Sequence, residues 1–452
     1  MKITVAGCGK IGKTLIQNLL SEGHEVVCID NSPSVIEELT NIYDVMCICG
    51  NATDCDILNE ANVGESELFI SVTGSDESNM LTCFLAKKTG ATHTLARIRN
   101  PEYNDKSLDF MRRQLEISQS INPEYLSARE IYNLLRLPGA ASVEKFSTGN
   151  LEMLVLPLKQ DSALNGINLI ELRKKYDAKV LVCAVQRDGE AFIPSGRSTL
   201  FEGDKIGITA TPTDMNKFFK ALDIFQKRAK SVIILGASKT AFYLAKMLLS
   251  SGRSVKIIEK DLERCEKFSS ELPGAVVICG DGANHELLHE EGIENTDAFV
   301  ALTGMDEENV LISCYAKTLD VPTVVAKVND PNKASLAGKL GLDCIVSPLK
   351  SSGDFITGYA RALSNSLGSP VETLYKLMDG AVEALEFSVQ PDFEYTNIPL
   401  RDMNFKENIL IAGIIRNRQP IIPSGDDVIM PGDKVIVFAA GTKLFELSDI
   451  IC

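Results

Sequence analysis

Short apolar runs alternate with amphipathic stretches through the first third of the chain. Ile3–Ala6, His24–Asp30, Val45–Cys49, Leu68–Val72 and Thr94–Ile98 read as strands. Between them, Gly12–Leu20 carries apolar residues at helical spacing. Pro33–Asn41 reads as a helix with Ser32 as its cap and Pro33 in its first position; Cys55–Ala61 and Asp76–Thr89 complete the set. Strand–helix alternation of this kind predicts a doubly wound parallel sheet. After about Pro138 the pattern changes. Glu152–Pro157, Val180–Val185 and Lys205–Ala210 predict short strands around one small helix, Leu169–Lys175, in a compact α+β module. A charged helical stretch, Asp214–Lys230, is expected to lead onward.

The whole arrangement is then written again. Ile3 to Gly12, ITVAGCGKIG, returns as Val232 to Ala241, VIILGASKTA. Thr73-Gly74 followed by Asp76, Glu77 and Asn79 returns as Thr303-Gly304 with Asp306, Glu307 and Asn309. Ile193-Pro194-Ser195-Gly196 returns as Ile422-Pro423-Ser424-Gly425. A constant offset of about 230 residues marks a duplicated unit. Strands are expected again at Val232–Leu235, Ser254–Ile258, Ala275–Ile278, Ala298–Leu302 and Thr323–Val328. The expected fold is therefore α/β, two tandem copies of a Rossmann-like lobe plus a small α+β lobe. The division is 1–136, 137–228, 229–368 and 369–452. Gly203-Asp204-Lys205 and Gly432-Asp433-Lys434 close matching turns in the small lobes and read as structural.

Composition narrows the function. A formal net charge of −15 would repel a polyanion, and a chain with no Trp and 6% aromatics offers no stacking platform for bases. Nucleic acid is thus not an expected partner. No signal peptide is evident, and no apolar run approaches the roughly 20 residues that cross a bilayer. A cytoplasmic protein with no transmembrane segment is expected, reaching a membrane through a partner. The twelve scattered cysteines imply no disulfide framework. Cys47 and Cys49 share one face of a strand and read as buried reduced thiols rather than a metal pair.

Gly7-Cys8-Gly9-Lys10-Ile11-Gly12 follows a strand and opens a helix, the context a dinucleotide fingerprint requires. Gly7 permits the tight turn, Gly9 the approach of a pyrophosphate, and Gly12 close helix–strand packing. Cys8 is a ligand contact by position. Asp30, at the tip of the second strand, suits a ribose diol and disfavours a 2′-phosphate, so NAD is expected over NADP. Asn51 and Thr73-Gly74 follow the third and fourth strands and line the same crevice, while Asp76 reads as a contact or a helix cap. Arg97 and Arg99 flank Ile98 and point to one face, where two guanidiniums suit a di- or triphosphate or a salt bridge with nearby carboxylates.

The second copy keeps one glycine of three in Gly236-Ala237-Ser238-Lys239-Thr240-Ala241. Glu259, Gly280-Asp281-Gly282 and Thr303-Gly304 remain, but Lys327 and Asn329 stand where the first copy has Arg97 and Arg99. Weaker binding, or a mononucleotide, is expected there. No catalytic centre is evident. His24 and His93 start strands, at the wrong end of a parallel sheet, and His285 and His289 read as surface residues. The chain is not expected to be an enzyme; the rival reading is an NAD-dependent oxidoreductase.

The array of Gly7 to Gly12, Asp30, Thr73 to Met80 and Ala96 to Tyr103, with Gly280-Asp281-Gly282, Asp306 to Asn309 and Ser347-Pro348, resembles the Trk potassium-uptake regulatory subunit (TrkA) family. The resemblance covers essentially the whole chain. It implies two RCK units, binding of NAD(H) and of ATP or ADP, and a homo-oligomer, dimer or tetramer, docked beneath a membrane potassium transporter of the TrkH/TrkG kind. By motif match, Gly7 to Ile11, Asp30, Thr73, Gly74 and Arg97 or Arg99 would hold the first nucleotide. Gly236, Ala237, Ser238, Lys239, Thr240, Glu259, Asp281 and Thr303 would hold the second. A regulator of a different ion channel or antiporter is the other reading.

Overall fold

A computed structural model describes residues 1–103, 105–137, 140–146, 151–176, 179–222, 229–364 and 371–452. The chain divides into two compact units. The first comprises Met1–Arg129, Ser238–Leu244 and Ser347–Ala360. The second comprises Glu130–Ala237, Ala245–Val346 and Arg361–Cys452. The expected joins at 228 and 368–369 lie outside the described residues.

The first lobe contains β1 (Lys2–Ala6), α1 (Lys10–Ser21), β2 (Glu25–Asp30), α2 (Pro33–Ile42), β3 (Met46–Cys49), α3 (Cys55–Glu60), β4 (Leu68–Ser71), α4 (Asp76–Thr89), β5 (His93–Arg97), α5 (Asp105–Gln114), β6 (Gln119–Ile121) and α6 (Pro123–Arg136). Its six strands run in the order β3-β2-β1-β4-β5-β6, paired in parallel. The order reverses between β1 and β4. Ligands of open α/β sheets sit at such a switch point, outside the carboxyl ends of the strands. The central strands are apolar on both faces, as burial between helices demands; all four residues of β4 are buried. Phe69, Ile29, Leu58, Val63 and Met80 form the core on one face. Helix α4 illustrates local agreement. Ser75 Oγ accepts the Ser78 N–H at 3.3 Å, Asp76 and Glu77 occupy the positive end, Lys87 and Lys88 the negative end, and Gly90 at φ +129° ends it.

The second unit holds two five-stranded antiparallel sheets. In the first small lobe these are β7 (Ser142–Phe146), β8 (Leu151–Pro157), β9 (Val180–Arg187), β10 (Glu190–Phe192) and β11 (Lys205–Ala210), with helices α7 (Leu169–Lys175) and α8 (Pro212–Ala221). The second Rossmann-like lobe follows as β12 (Ser231–Leu235), α9 (Lys239–Ser250), β13 (Ser254–Glu259), α10 (Leu262–Glu271), β14 (Val276–Cys279), α11 (His285–Glu290), β15 (Ala298–Ala301), α12 (Asp306–Thr318), β16 (Thr323–Lys327), α13 (Pro331–Lys339), β17 (Cys344–Val346) and α14 (Pro348–Ser364). Its sheet repeats the first order, β14-β13-β12-β15-β16-β17. The last lobe adds β18 (Val371–Leu377), β19 (Val382–Ser388), β20 (Ile409–Arg416), β21 (Gln419–Ile421) and β22 (Lys434–Ala440). The small sheets have one topology, β7-β8-β11-β9-β10 and β18-β19-β22-β20-β21. They share a core that includes Phe146, Leu151, Val382 and Phe438. A Cβ on Gly413 would stand 2.4 Å from Leu151 Cδ2, so the sheets meet closely there.

Several elements differ from expectation. β6, α5, α6, β7 and β10 escape the sequence pattern, the strands among them being short or at sheet edges. The helix expected over Asp214–Lys230 is α8, ending at Ala221; residues 223–228 lie outside the described set. Cys47 is half-buried and Cys49 exposed rather than buried, because β3 is an edge strand covered on one side only. Among the described residues no helix is long and apolar enough to cross a membrane.

Candidate functional site

The first crevice is built on backbone. Gly7 sits at φ +90°, and a Cβ there would lie 2.7 Å from the Thr73 nitrogen, so the bend passes directly over the end of β4. A Cβ on Gly12 would lie 2.2 Å from the Gly7 carbonyl oxygen, which is the close helix–strand approach expected of this glycine. Gly9 is different. A Cβ there would meet nothing within 4 Å. Gly9 is also the N-cap of α1 and supplies no side-chain cap, and no acidic residue occupies the first turn. The orphan amides and the dipole of α1 thus point into open space beside Gly9, with Lys10 exposed and Ile11 half-buried next to it.

Asp30 closes the bend. Its Oδ2 accepts the Cys8 N–H at 2.7 Å and its Oδ1 accepts the Ser32 N–H at 2.9 Å. Each carboxylate oxygen keeps a further lone pair. The Cys8 thiol does not face the crevice. It is fully buried, with Sγ toward the carbonyls of Val5 and Ile29, so this residue contributes main chain alone. Asn51 is exposed and its Oδ1 accepts the Thr53 N–H at 3.1 Å, holding the loop after β3.

The loop after β4 is organised by Asn79, to which sequence reasoning attached no role. Its Oδ1 accepts the Thr73 N–H and hydroxyl, both at 2.7 Å, and the Ser71 hydroxyl at 3.0 Å; its Nδ2 donates to the Arg97 carbonyl at 2.9 Å. Because the Thr73 hydroxyl donates to Asn79, its oxygen remains an acceptor. The sequence signals it only by recurrence, as Asn309, which makes the same bonds to Thr303 and Lys327 in the second copy. Asp76 is neither an exposed contact nor the helix cap. Ser75 is the cap, and Asp76 Oδ2 accepts the N–H groups of Arg99 and Asn100, both at 2.8 Å.

Both guanidiniums expected at the crevice reach the same loop. Arg97 is buried and donates to the Thr73 carbonyl. Arg99 Nη2 donates to the Gly74 carbonyl at 2.8 Å, and its other nitrogens face Asp76 at 3.5 Å and Glu124 at 3.9 Å. Burial first, then the neighbouring Arg99 charge, draws the Arg97 pKa down from its ordinary value. Arg97 Nε is buried with no hydrogen-bond partner among the described residues. An unmet cationic donor, open space beside Gly9 and an uncapped helix start fit a phosphorylated ligand. At the rim, Glu77 accepts the Ser75 hydroxyl at 2.6 Å and the Tyr103 hydroxyl at 2.7 Å.

In the second copy, Glu259 repeats the part of Asp30: its Oε2 accepts the Ala237 N–H at 2.7 Å and its Oε1 the Asp261 N–H at 3.0 Å. Gly236 again bends at φ +94° against Thr303. Asp281 is exposed, and its Oδ1 accepts the Ala283 N–H at 2.9 Å. Ser238, Lys239 and Thr240 fall in the first compact unit. Ser238 Oγ accepts the Ala241 N–H at 3.3 Å, so a first-turn amide that α1 leaves open is met here by a side chain. Lys327 reaches the Leu302 carbonyl at 3.4 Å, and Asn329 binds Asp306. His285 stacks on Tyr315 with centroids 4.0 Å apart, and His289 Nε2 lies 2.7 Å from the Tyr315 hydroxyl. Among the described residues, no three His, Cys, Asp or Glu side chains gather as a metal site.

Comparison with known proteins follows the duplication. Residues 3–123 and 232–348 match the TrkA-N domain family, and 153–223 and 384–450 the TrkA-C domain family. The chain is 32% identical over 450 residues, 100% of each chain, to the Trk system potassium uptake protein TrkA homolog of Archaeoglobus fulgidus. It is 29% identical to the Trk system potassium uptake protein TrkA of Vibrio alginolyticus, over 98% of this chain and 96% of that one. Among solved structures it is similar to the GsuK RCK domain, with a TM-score of 0.65 and 16% identity over 97% of this chain and 92% of that one. The GsuK channel bound to NAD gives a TM-score of 0.64 and 17% identity, over 97% of this chain and 77% of that one. These structural likenesses bear on the fold.

Proposed function

The chain belongs to the TrkA family, and from that premise we propose that it is a cytosolic, non-catalytic subunit that binds NAD(H) and adenine nucleotides and regulates potassium uptake through a membrane Trk-type transporter. One observation carries the nucleotide part. Helix α1 opens without a side-chain cap into the space beside Gly9, where a diphosphate would meet free amides and the positive end of the helix. Asp30 would take the ribose diol with its remaining lone pairs. Arg97 Nε, buried without a partner, would meet phosphate or ribose oxygens. The second copy is proposed to bind more weakly, since Ser238 already occupies an amide of its helix start. The family's potassium-uptake proteins supply the premise for the transporter, and a homo-oligomer is proposed with it. Lobes 1–136, 137–228, 229–368 and 369–452 are the proposed working divisions.

Regulation requires that a ligand bind two conformations with different affinity, and a coupling of about 1–3 kcal/mol changes an equilibrium roughly 5–150-fold. Calorimetry of the full chain with NADH, NAD, ATP and ADP tests the reading, with the nucleotide assayed afterwards for turnover. Binding without consumption is expected. No binding, or oxidation of a metabolite by the protein alone, overturns it.

A further inference from the structure

The first crevice has a neighbour from the second copy. Residues Ser238–Leu244, which include the first turn of α9, belong to the same compact unit as that crevice. Tyr243 stands at the point of contact. Its hydroxyl donates to the carbonyl of Arg99 at 3.0 Å and accepts Asn122 Nδ2 at 2.9 Å. Its ring meets Tyr125 edge to face, centroids 5.6 Å apart, and the Tyr125 N–H is itself held by Asn122 Oδ1 at 2.9 Å. Four residues earlier, the Lys239 ammonium acts electrostatically on Glu77 at the crevice rim.

Arg99 is the residue that matters. Its main-chain N–H is fixed by Asp76 and its guanidinium carries the Gly74 carbonyl. The strand end that supports the Thr73-Gly74 loop is therefore tied on its carbonyl side by a hydroxyl from the second copy. The repeat offset puts Thr14 at the matching place in α1, and its short side chain bonds the Lys10 carbonyl of its own helix at 3.1 Å. The phenol is a device of the second copy alone.

We propose that Tyr243 is a positioning residue of the first nucleotide crevice, its hydroxyl fixing the main chain at Arg99 and with it the Thr73-Gly74 loop, so that both copies build one binding site. This rests on the nucleotide-binding function proposed above and names a part of it. Removing the hydroxyl leaves the Arg99 carbonyl and the Asn122 amide to find new partners, and the loop loses its register toward the ligand. Because α9 starts at Lys239, directly after Ser238, a displacement of its first turn reaches the first crevice through Tyr243.

The test is a fluorescence titration of full-length protein with NADH, alongside the melting temperature without nucleotide. Tyr243→Phe keeps the ring and its edge-to-face contact. It is expected to weaken NADH binding roughly 2–10-fold, the effect of one lost hydrogen bond, while melting falls by no more than about 2–4 °C and the chain stays folded at the titration temperature. Tyr132→Phe, on α6 with Tyr125 and beneath the Arg253 guanidinium at 5.2 Å, is expected to bind as the unmodified chain does. Equal NADH affinity in Tyr243→Phe and the unmodified chain overturns the inference and leaves the function standing. So does equal weakening in Tyr132→Phe, or weakening that merely follows lower melting. An unmodified chain that binds no adenine nucleotide removes the function and this inference together.

Discussion

The carboxylate of Asp30 accepts the main-chain N–H of Cys8 at 2.7 Å, and Glu259 accepts that of Ala237 at the same distance in the second copy. The acid at the tip of the second strand thus shapes the bend beside which a ribose is proposed to bind. Asp30→Asn retains one acceptor oxygen and removes the charge. NADH affinity is expected to fall by about 1.5–3 kcal/mol, the worth of a charged hydrogen bond. NADPH should lose less, because the 2′-phosphate no longer meets a negative group. Parallel titrations with the two cofactors give the ratio; an unchanged NADH/NADPH preference would remove Asp30 from ribose recognition.

The three glycines of the first bend separate folding from binding. Gly9→Ala puts a methyl where no atom lies within 4 Å, so stability should fall by no more than about 1 kcal/mol, the gap between glycine and alanine at an N-cap. The same methyl enters the space proposed for a pyrophosphate, and binding should weaken by about 1–3 kcal/mol. Gly7→Ala meets the Thr73 backbone from a φ of +90°, and Gly12→Ala meets the Gly7 carbonyl. Both should destabilise the apo protein by about 1–3 kcal/mol. Equal melting across all three variants would contradict the packing.

Much of this lobe was legible because its signals are local. Strand and helix periods, the glycine spacing and the duplication each lie within a few consecutive residues or repeat at fixed offset. Asn79 was not legible as a hub, since its bonds to Thr73 and Arg97 exist only after α4 folds back on β4 and β5. Arg97 and Arg99 were read as facing the crevice mouth, yet their contacts with Thr73 and Gly74 depend on the same long-range packing. Burial of Cys49 was misjudged because an apolar run cannot tell an edge strand from a central one. Tyr243 was invisible too, because its partners are more than a hundred residues away.

Glu77 carries a pH signature. The Ser75 hydroxyl first, then the Tyr103 hydroxyl and its own backbone amide, hold its carboxyl at about 2. The Glu77 bond pushes Tyr103 up to about 12. A depressed carboxylate favours the folded state above its unfolded pKa, and that contribution fades as pH falls toward about 2. In a carbon-detected NMR titration, Glu77 should stay ionised through the range where other exposed glutamates protonate. Tyr103→Phe leaves the Ser75 bond and should move the midpoint partway toward the ordinary value. A normal Glu77 midpoint in the unmodified protein would discount the rim network.

The turn acids of the small lobes should prove structural. Asp204 is fully buried, pairs with Arg187 through two 2.8 Å bonds, and accepts the Phe201 N–H. Asp433 repeats the pairing with Arg416. Asp204→Ala leaves Arg187, which is partly solvated, so the loss should be about 2–3 kcal/mol rather than the full value for an isolated buried charge. Chemical denaturation measures it. NADH affinity should not move; a selective loss of affinity at full stability would give this turn a ligand role.

Ser238 offers the converse experiment, a gain. Its hydroxyl oxygen holds the Ala241 N–H at 3.3 Å, at the helix start where the first copy has the open space of Gly9. Ser238→Gly gives up a cap, which costs only a few tenths of a kcal/mol when glycine replaces serine. It returns an amide to an incoming phosphate and removes the side chain from its approach. Calorimetric titration with ADP should then reveal an additional or tighter class of sites per chain. If the isotherm is unchanged, the weakness of the second copy lies elsewhere, and Ala241 and Lys327, in the places of Gly12 and Arg97, become the residues to exchange next.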